Sequence, residues 1–347
     1  MKKLRWGVIG AGGIAYFRTM PGMKLCDNAE LTAVMTTTTE KAEKIAAEFG
    51  AKRAYDSAEA LIADPEVDAV YIATPVYLHL PQIKLAAAAG KHILCEKPLG
   101  LNAAEAQEAI DVCKQAGVKL SVGFMMRYGA HLNQMKDALA AGKLGKLVSG
   151  MAQFSCWMPP RPGGYWCTTM AQAGGGPIMD MGIHLIDLIH HVTGMKITHV
   201  TAMQERTFFD TDDYDVDDTS TAVLRLENGA QFVVQTLFNV PDSAAAWHFD
   251  LFGSRGRMLG NFIVGQEDGG DLNAVLLEDG EDPFGDANPG ERLPASYRNL
   301  YTEEIQRFSM AVLHDTPVDI PPETAVEAQK VIDAAYESSR TGRMIAL

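Results

Sequence analysis

The chain has 347 residues, of which 47% are hydrophobic and 21% are charged, and its formal net charge is −14. This length suits about two domains rather than one ordinary hydrophobic core. The acidic balance argues against a nucleic-acid-binding protein, because such a protein needs a basic face. It does not exclude an anionic ligand, since one local cation or the N-terminus of a helix can hold a phosphate.

Targeting signals and paired cysteines are not evident in the sequence. The start "MKKLRWGVIGAGGIA" has the cations of a signal peptide, but glycines interrupt its apolar run. No run of about 18 apolar residues predicts a transmembrane helix. The five cysteines are scattered and form no Cys-x-x-Cys pair. We therefore expect a cytoplasmic protein with reduced thiols and without a zinc site.

The N-terminal segment predicts a nucleotide-binding turn. "LRWGVIGAGGIA" is a β-rich run followed by Gly10-x-Gly12-x-x-Ala15, and a helix is predicted over about residues 13–25. The strand before the glycines and the helix after them make an otherwise weak motif informative. Gly10 permits the tight turn, Gly12 lets the backbone approach a pyrophosphate, and Ala15 allows close helix–strand packing. The alternative is a glycine-rich turn that binds nothing.

Strand-like and helical runs then alternate through the first third of the chain. "AELTAVM" precedes helical "EKAEKIAAEFG", "VDAVYIAT" precedes helical "YLHLPQIKLAAAAG", and "KHILCEK", "NAAEAQEAIDVCKQAG" and "KLSVGF" continue the series. This alternation predicts an α/β fold, a Rossmann domain with a doubly wound parallel sheet over residues 1–125. Ligands of such sheets lie beyond the carboxyl ends of the strands. The segments "ATP" (73–75) and "CEKP" (95–98) fall at two of those ends.

The rest of the chain, residues 126–347, predicts an α+β domain with a mixed or mostly antiparallel sheet. Six strand-like runs occur there, "KLVSGMAQFSCW", "THVTAMQERTF", "STAVLRL", "AQFVVQTLF", "WHFDLFG" and "GRMLGNF", with turns at "ENGA" and "GSRG". Two final helices can pack back on the first domain. A sheet with one helix-covered face leaves the other face open, so we expect a homodimer or homotetramer through that face.

The acidic run "DTDDYDVDD" (210–218) precedes one of these strands, and we expect it to be a solvated loop. Calcium binding is the alternative interpretation. The run lacks the glycine and the terminal glutamate at the spacing of a calcium loop, so we expect no metal there.

The choice of dinucleotide depends on the end of the second strand. An NAD-preferring site has Asp or Glu about 20 residues past the glycines, where it holds the ribose 2′-hydroxyl. This chain has "MTTTTEK" there, with Thr36 in the acid's place. Without that carboxylate a 2′-phosphate is not repelled, and Lys41 and Lys44 add positive charge. We therefore expect NADP in preference to NAD. A merely polar loop in an NAD-using protein is the alternative.

The segment "GGGPIMDMGIHLIDLIHHVTG" (174–194) predicts a helix that is apolar on nearly every side. On a helical wheel Asp180, His184, Asp187 and His191 share an arc of about 60°. One interpretation is an internal hydrogen-bond ladder, Asp180 to His184 and Asp187 to His191. A second is a metal site, which needs further ligands. A third is a proton-transfer pair that faces a substrate at the N-terminal end of the helix.

Lys97 in "EKP" follows a predicted parallel strand, where the nicotinamide end of a dinucleotide would lie. Desolvation and a cationic nicotinamide both lower the pKa of a lysine there, so Lys97 is a candidate general acid or base. The alternative is a surface lysine in a strand–helix loop.

Five segments together resemble the Gfo/Idh/MocA oxidoreductases, relatives of glucose–fructose oxidoreductase and inositol dehydrogenase. They are "GVIGAGGIA", "ATPVYLHLPQIKLAAAAGKHILCEKPLG", "GFMMRY", "GGGPIMDMGIHLIDLIHHVTG" and "VDDTSTAVLRLENGA". The resemblance covers nearly the whole chain in order. It implies a Rossmann domain, a C-terminal domain with a large open sheet, oligomerisation through that sheet, and NAD(P)-dependent oxidation or reduction of sugars and cyclitols.

Residue roles follow from the resemblance. Lys97 would be the catalytic lysine, Asp180 and His184 would complete a triad with it, and Asp187 would contact substrate or lock the helix. The cofactor-binding residues would be Gly10, Gly12, Gly13, Ile14, Ala15, Thr36, Thr37, Thr74, Pro75, His79, Glu96, Lys97 and Arg127. The substrate-binding residues would be Lys97, Trp157, Tyr165, Trp166, Asp180 and His184.

Two departures from the family pattern bear on specificity. Thr36 resembles the Ser/Thr-bearing members that use NADP. Cys167 follows Trp166 where many relatives have arginine, so recognition of carbohydrate in that loop can differ. The nearby aromatic residues Trp157, Tyr165 and Trp166 could stack on a sugar ring or simply anchor the loop.

The leading hypothesis is a sugar or polyol oxidoreductase that transfers hydride between nicotinamide C4 and a secondary alcohol or ketone. One alternative is a glycoside hydrolase that uses a bound nicotinamide for transient oxidation. Another is a non-catalytic regulator that responds to nicotinamide dinucleotides. The sequence does not indicate the substrate, the direction, or which of Lys97 and His184 transfers the proton.

Overall fold

The computed structural model describes residues 2–278, 280–281, 284–286 and 288–347, which form two compact units. The first unit comprises Met1–Met125 and Asn299–Gln329, and the second comprises Met126–Arg298 and Lys330–Leu347. The first stretch of this unit ends at residue 125, and residues 299–329 return to the same unit.

The first unit contains a six-stranded, entirely parallel sheet in the order β3-β2-β1-β4-β5-β6. Its strands are β1 (Leu4–Ile9), β2 (Ala29–Met35), β3 (Arg53–Tyr55), β4 (Ala69–Ile72), β5 (His92–Cys95) and β6 (Leu120–Val122). The helices between them are α1 (Met20–Lys24), α2 (Thr39–Phe49), α3 (Ala58–Ile62), α4 (His79–Ala88) and α5 (Ala103–Ala116). The predicted doubly wound parallel sheet is confirmed, although β3 and α3 had no recognisable sequence pattern.

The helix ends follow local chemistry. Thr38 and Asn102 cap α2 and α5, because each side chain accepts a hydrogen bond from a first-turn backbone N–H. Gly50 and Gly117 end the same two helices with φ of +77° and +69°, a left-handed conformation that glycine adopts without steric cost. These caps set the points at which the chain turns toward the next strand.

The second unit contains a nine-stranded sheet in the order β14-β13-β12-β11-β7-β10-β9-β8-β15. Its strands are β7 (Leu147–Ser155), β8 (Ile197–Glu205), β9 (Thr219–Leu226), β10 (Gln231–Leu237), β11 (His248–Gly253), β12 (Gly256–Asn261), β13 (Asp271–Leu276), β14 (Glu291–Leu293) and β15 (Ile345–Ala346). Among the described strands of this sheet, β7 and β10 are the only pair that runs in parallel. The six predicted strands and the mostly antiparallel sheet are confirmed, whereas β13, β14 and β15 were not predicted.

The remaining helices are α6 (Ala130–Ala140), α7 (Met170–Ala173), α8 (Ile183–Thr193), α9 (Leu300–Leu313) and α10 (Glu323–Thr341). In the first unit, α9 packs against the core of the parallel sheet. The Trp6 indole N–H donates to Ser309 Oγ at 3.0 Å, and its ring centroid lies 5.4 Å from that of Phe308. Among the described residues, no helix is both long and apolar enough to cross a membrane.

One face of the nine-stranded sheet carries exposed apolar side chains. Thr201, Val223, Val233 and Met151 lie in one row across β8, β9, β10 and β7. Val223 and Met151 are 40% and 42% exposed, while the alternate residues of the same strands are buried. The other face supplies the core of this unit, as the alternation of side chains along a strand requires.

The second half of the acidic run is buried, so the expectation of a solvated loop is wrong there. Asp217 and Asp218 are 8% and 0% exposed, and Tyr214 between the acidic residues is fully buried. Asp218 accepts hydrogen bonds from the backbone N–H groups of Thr207, Phe208 and Phe209, at 2.8 to 2.9 Å. These donors stabilise the charged form and hold the pKa of Asp218 below its usual value, although burial by itself raises it.

Candidate functional site

The glycine-rich turn lies at the carboxyl end of β1. Gly10 has φ of +84°, and a Cβ there would lie 2.6 Å from the carbonyl oxygen of Ala73, so only glycine fits. A Cβ on Gly12 or Gly13 would have no atom within 4 Å. The inner side of the turn is therefore packed against β4, while its outer side leaves the backbone open to a ligand.

Ile14 and the buried Ala15 follow this turn and lead through a helical turn, Ala15–Thr19, into α1. Backbone N–H groups at such a position form an anion site, because they meet the positive end of the helix. The turn thus fits the pyrophosphate of a dinucleotide.

The end of β2 carries hydroxyl groups and a cation. Thr36 is half-buried and Thr37 is exposed, and the Lys41 ammonium donates to Thr37 Oγ1 at 3.5 Å. Thr38, the next residue, is occupied as the cap of α2. Residues 36–39 carry no carboxylate of their own, although Thr39 Oγ1 donates to Asp56 Oδ2 at 2.6 Å. This strand end therefore offers the hydroxyl groups of Thr36 and Thr37 beside the Lys41 ammonium.

His79 joins the loops that follow β4 and β5. Its Nδ1 lies 2.7 Å from Pro98 O and its Nε2 lies 2.8 Å from Thr74 O. Burial lowers the pKa of His79, and the charge of Lys97 lowers it further, so the neutral ring donates to one of these carbonyls at a time. Both ring nitrogens are engaged by backbone, and His79 therefore positions the Thr74–Pro75 and Lys97–Pro98 segments.

Lys97 lies two residues past the end of β5 and is half-buried, and its peptide bond to Pro98 is cis. The neighbouring Glu96 is 7% exposed, accepts a hydrogen bond from the Tyr71 hydroxyl, and accepts one from the Lys97 N–H at 3.3 Å. Thr19 Oγ1 in turn donates to the Tyr71 hydroxyl at 2.9 Å. Glu96 is thus held by the core of the first unit, which fixes the backbone from which Lys97 projects.

Glu304 on α9 is a buried carboxylic acid that the sequence pattern did not single out. It is 2% exposed, and neither carboxylate oxygen has a hydrogen-bond partner among the described residues. Burial raises the pKa of Glu304 well above its usual value, and the charge of Glu96 adds to this effect. The sequence signal was a glutamate on the apolar side of "YTEEIQRF".

The helix that carries Asp180 and His184 begins with a turn, Ile178–Gly182, that is wider than an α-helical turn. Met179 N and Asp180 N donate to Gly176 O at 3.0 and 3.1 Å. Asp180 is half-buried, and His184 on α8 is 4% exposed. The wide turn changes the spacing assumed on the helical wheel, so Asp180 does not continue the α-helical row of the later residues.

Tyr165 lies close enough to Asp180 to respond to its charge. Burial raises the pKa of Tyr165, Cys167 and Asp180 raise it further, and Arg161 opposes them. The Arg161 guanidinium lies 3.8 Å from the centroid of the Tyr165 ring, a cation–π contact. Trp166 is adjacent, with its ring centroid 5.9 Å from that of Tyr165. These side chains form one group near the start of the helix.

Trp157 belongs to a different aromatic cluster. Its ring centroid lies 5.8 Å from that of Phe208 and 5.2 Å from that of Phe209, and Phe209 also contacts the buried Tyr214. Trp157 itself is 37% exposed. Its contacts therefore support the loop-anchoring alternative for this residue.

Asp187 is paired with Arg127, and the predicted Asp187–His191 hydrogen bond is wrong. Arg127 Nε donates to Asp187 Oδ2 at 2.8 Å and Nη2 donates to Oδ1 at 2.5 Å. This two-pronged geometry occupies both carboxylate oxygens, which is the arrangement that guanidinium favours. Burial lowers the pKa of His191 to about 3, and the charge of Arg127 contributes to the shift, so His191 is neutral. Within the described residues, His191 Nε2 has no hydrogen-bond partner.

Metal binding finds no support in the described part of the chain. No three His, Cys, Asp or Glu side chains gather there in an arrangement that could hold a metal ion.

Comparisons with known proteins agree with these two units. Residues 4–124 match the model of an oxidoreductase family with an NAD-binding Rossmann fold, and residues 132–259 match the GFO/IDH/MocA C-terminal domain. The chain is 30% identical to 1,5-anhydro-D-fructose reductase of Ensifer adhaerens, covering 89% of this chain and 88% of the relative. It is also 30% identical to D-xylose 1-dehydrogenase (NADP(+)) 2 of Haloferax volcanii, covering 99% and 100% of the two chains.

A solved structure shows the same similarity. The aldose–aldose oxidoreductase of Caulobacter crescentus, in a complex with glycerol, superposes with a TM-score of 0.88 at 26% identity, and all of both chains is covered. The chain therefore belongs to the Gfo/Idh/MocA family of oxidoreductases with an NAD-binding Rossmann fold.

The Arg127–Asp187 pair generates a stability prediction. The two side chains are only 11% and 2% exposed. Changing Arg127→Met would leave a buried carboxylate without its partner, and we expect the free energy of unfolding to fall by about 3–5 kcal/mol. Urea unfolding followed by circular dichroism measures this change.

A double variant provides the control. Arg127→Met combined with Asp187→Leu removes both charges, so most of the lost stability should return. A single Arg127→Met variant within about 1 kcal/mol of the parent would contradict the importance of this pair.

Proposed function

We propose that this protein is an NAD(P)-dependent oxidoreductase that acts on a secondary alcohol or ketone of a sugar, a sugar derivative or a cyclitol. The observation that carries the proposal is the position of Lys97, which lies two residues past the end of β5 of a Rossmann sheet and next to Glu96, which accepts a buried hydrogen bond from the Tyr71 hydroxyl. The names of the relatives support the substrate class, since one reduces an anhydro-fructose and another oxidises xylose.

Lys97, Asp180 and His184 are the proposed groups for proton transfer. A nicotinamide dinucleotide, when bound, would supply or accept the hydride. In oxidation, Lys97 or His184 takes the proton from the substrate hydroxyl; in reduction, the same group returns it to the developing alkoxide. The Lys97 ammonium also stabilises that alkoxide electrostatically. Asp180 would orient His184 or tune the pKa of Lys97, and Tyr165 and Trp166 would contact the substrate.

Changing Lys97→Met tests this assignment. General acid–base groups contribute roughly 10²- to 10⁴-fold to rate, so we expect turnover of an active sugar to fall by about that factor. The dissociation constant of the dinucleotide should change by only a few-fold, because the glycine-rich turn is untouched. Absorbance of the reduced cofactor measures turnover and fluorescence titration measures binding.

Lys84→Met is the matched control, since Lys84 lies on α4 and makes an exposed ion pair with Glu108. It should retain parent activity. Undiminished turnover in Lys97→Met would rule out the assigned role.

The same sugar panel separates the two alternative functions. A glycoside hydrolase with a bound nicotinamide would release sugar from glycosides without net reduction of the cofactor. A non-catalytic regulator would bind the dinucleotide and show no redox activity on any sugar, ketose or inositol. Net reduction of the cofactor by a free sugar or polyol supports the oxidoreductase.

We also propose NADP as the preferred dinucleotide. The support is the absence of an acid at residues 36–39 and the contact between Lys41 and Thr37. Changing Thr36→Asp restores the carboxylate that repels a 2′-phosphate and accepts from a 2′-hydroxyl. We expect the ratio of NADP to NAD affinity to fall by roughly tenfold or more, which corresponds to about 1.4 kcal/mol. Parent protein that binds NAD tenfold more tightly than NADP would contradict the preference.

A homodimer or homotetramer through the open face of the nine-stranded sheet is our proposal for assembly. The exposed Met151, Val223 and Met203 on that face support it, because contiguous apolar surface of this kind marks interaction sites. We expect light scattering at micromolar concentration to show an oligomer and Val223→Lys to shift it toward monomer. Met310→Lys, on exposed α9 surface, is the control. A monomeric parent would refute the proposal.

A further inference from the structure

The "GGG" turn before the Asp180 helix is enclosed by two side chains from distant parts of the chain. A Cβ on Gly175 would lie 2.2 Å from the Tyr336 hydroxyl oxygen. A Cβ on Gly176 would lie 2.0 Å from Asp217 O and 2.8 Å from its carboxylate. The glycines are thus required by close packing against Asp217 and Tyr336, which the sequence motif alone does not reveal.

Asp217 and Tyr336 hold the backbone of this turn by hydrogen bonds. The Tyr336 hydroxyl donates to Asp217 Oδ1 at 2.6 Å, and the Gly176 N–H donates to the same oxygen at 3.0 Å. The Gly176 N–H also lies 2.9 Å from the Tyr336 hydroxyl oxygen. Asp217 precedes β9 and is 8% exposed, while Tyr336 lies on α10.

Gly176 also contacts the first turn of the helix that carries Asp180. Gly176 N is held by Asp217 and Tyr336, and Gly176 O accepts from the N–H groups of Met179 and Asp180. One residue therefore links the Asp217–Tyr336 pair directly to the first turn of the helix. We call the Asp217–Tyr336 pair the anchor of this turn. A shift of the anchor would move the backbone from which the Asp180 side chain projects.

We propose that Asp217 and Tyr336 are positioning residues, which hold the start of the Asp180–His184 helix in the orientation that proton transfer needs. This inference rests on the proposed function, since it assumes that Asp180 and His184 take part in the reaction. Neither residue is among those proposed above to contact the substrate or the cofactor.

The charge of Asp217 matters to this anchor. Burial raises the pKa of Asp217 to about 6, and Asp218 adds to the shift, while Tyr336 and the Gly176 N–H oppose it. The Tyr214 phenol responds to both aspartates. The other ionisable side chains near Asp217 line an open cavity of about 810 Å³: Glu205, Arg206, Asp215, Asp333, Glu337 and Arg340. Above pH 6 the anchor is a carboxylate, which accepts stronger hydrogen bonds than a neutral carboxyl does.

Protonation of Asp217 weakens its hydrogen bond from the Gly176 N–H, but it does not by itself destabilise the folded state. The folded pKa lies above the unfolded value of about 3.9, so Asp217 contributes stability that is present at low pH and is lost as the pH rises through about 6. Protonation below pH 6 therefore favours the folded state while it weakens the hold on Gly176. A loss of turnover near pH 6 through Asp217 would occur in folded protein.

Asp217→Asn and Tyr336→Phe test the inference. We expect each to lower kcat by roughly 10- to 100-fold, because small misplacements of catalytic groups cost rate at this scale. KM and the dinucleotide dissociation constant should stay within about threefold, and Asp217→Asn should lose the inflection of kcat near pH 6. Hydrogen exchange at the amides of residues 176–182 should accelerate about tenfold in both variants while exchange in the Rossmann sheet is unchanged.

Asp212→Asn is the control, because Asp212 is an exposed carboxylate in the same acidic run. The inference is overturned if both variants keep parent exchange rates, or if exchange accelerates while kcat is unchanged. Tyr336→Phe keeps the test decisive should Asp217→Asn fail to fold. Failure of the proposed function is recognised separately, by a parent protein that shows no redox activity on the sugar panel.

Discussion

Buried carboxylates need hydrogen-bond donors, and this requirement organises both units of the protein. In the first unit Glu96 is held by the Tyr71 hydroxyl, which fixes the segment that carries Lys97. In the second unit Asp187 is held by Arg127 and Asp217 by Tyr336. Burying each carboxylate costs free energy because it loses its hydration. Hydrogen bonds from its donors offset that cost only when the backbone holds donor and acceptor in one arrangement. The candidate catalytic groups project from backbone that these pairs keep in place.

The same environment separates ionised from neutral groups. Burial raises the pKa of Glu304 well above its usual value, and the charge of Glu96 adds to this shift, because two carboxylates in one core repel each other. Asp218 stays ionised, since three backbone N–H groups point at it. Burial keeps His191 uncharged. Carboxylic acids of the same protein therefore have different pKa values, according to the hydrogen-bond donors and charges that surround them.

Patterns local in sequence predicted much of this molecule. The Gly10-x-Gly12 turn, the parallel Rossmann sheet and six strands of the second sheet were predicted, because glycine geometry and side-chain alternation act over a few residues. The short β3, β14 and β15 were missed, since two or three residues carry too little periodicity. The Asp187–His191 pairing was wrong because four-residue spacing suggested it while a guanidinium 60 residues away takes both oxygens. Asp217 was misjudged as solvated from its acidic neighbours.

The sequence by itself determined the class of fold, the place of the nucleotide turn and the family, all of which rest on local or ordered motifs. Only the tertiary structure decided which ionisable groups are paired. Asp217 meets Tyr336 across 119 residues and Glu304 joins the core that holds Glu96, contacts that no spacing rule contains. The physical reason is that desolvation and hydrogen bonding depend on what surrounds a side chain in space. Those surroundings are set by packing between distant segments.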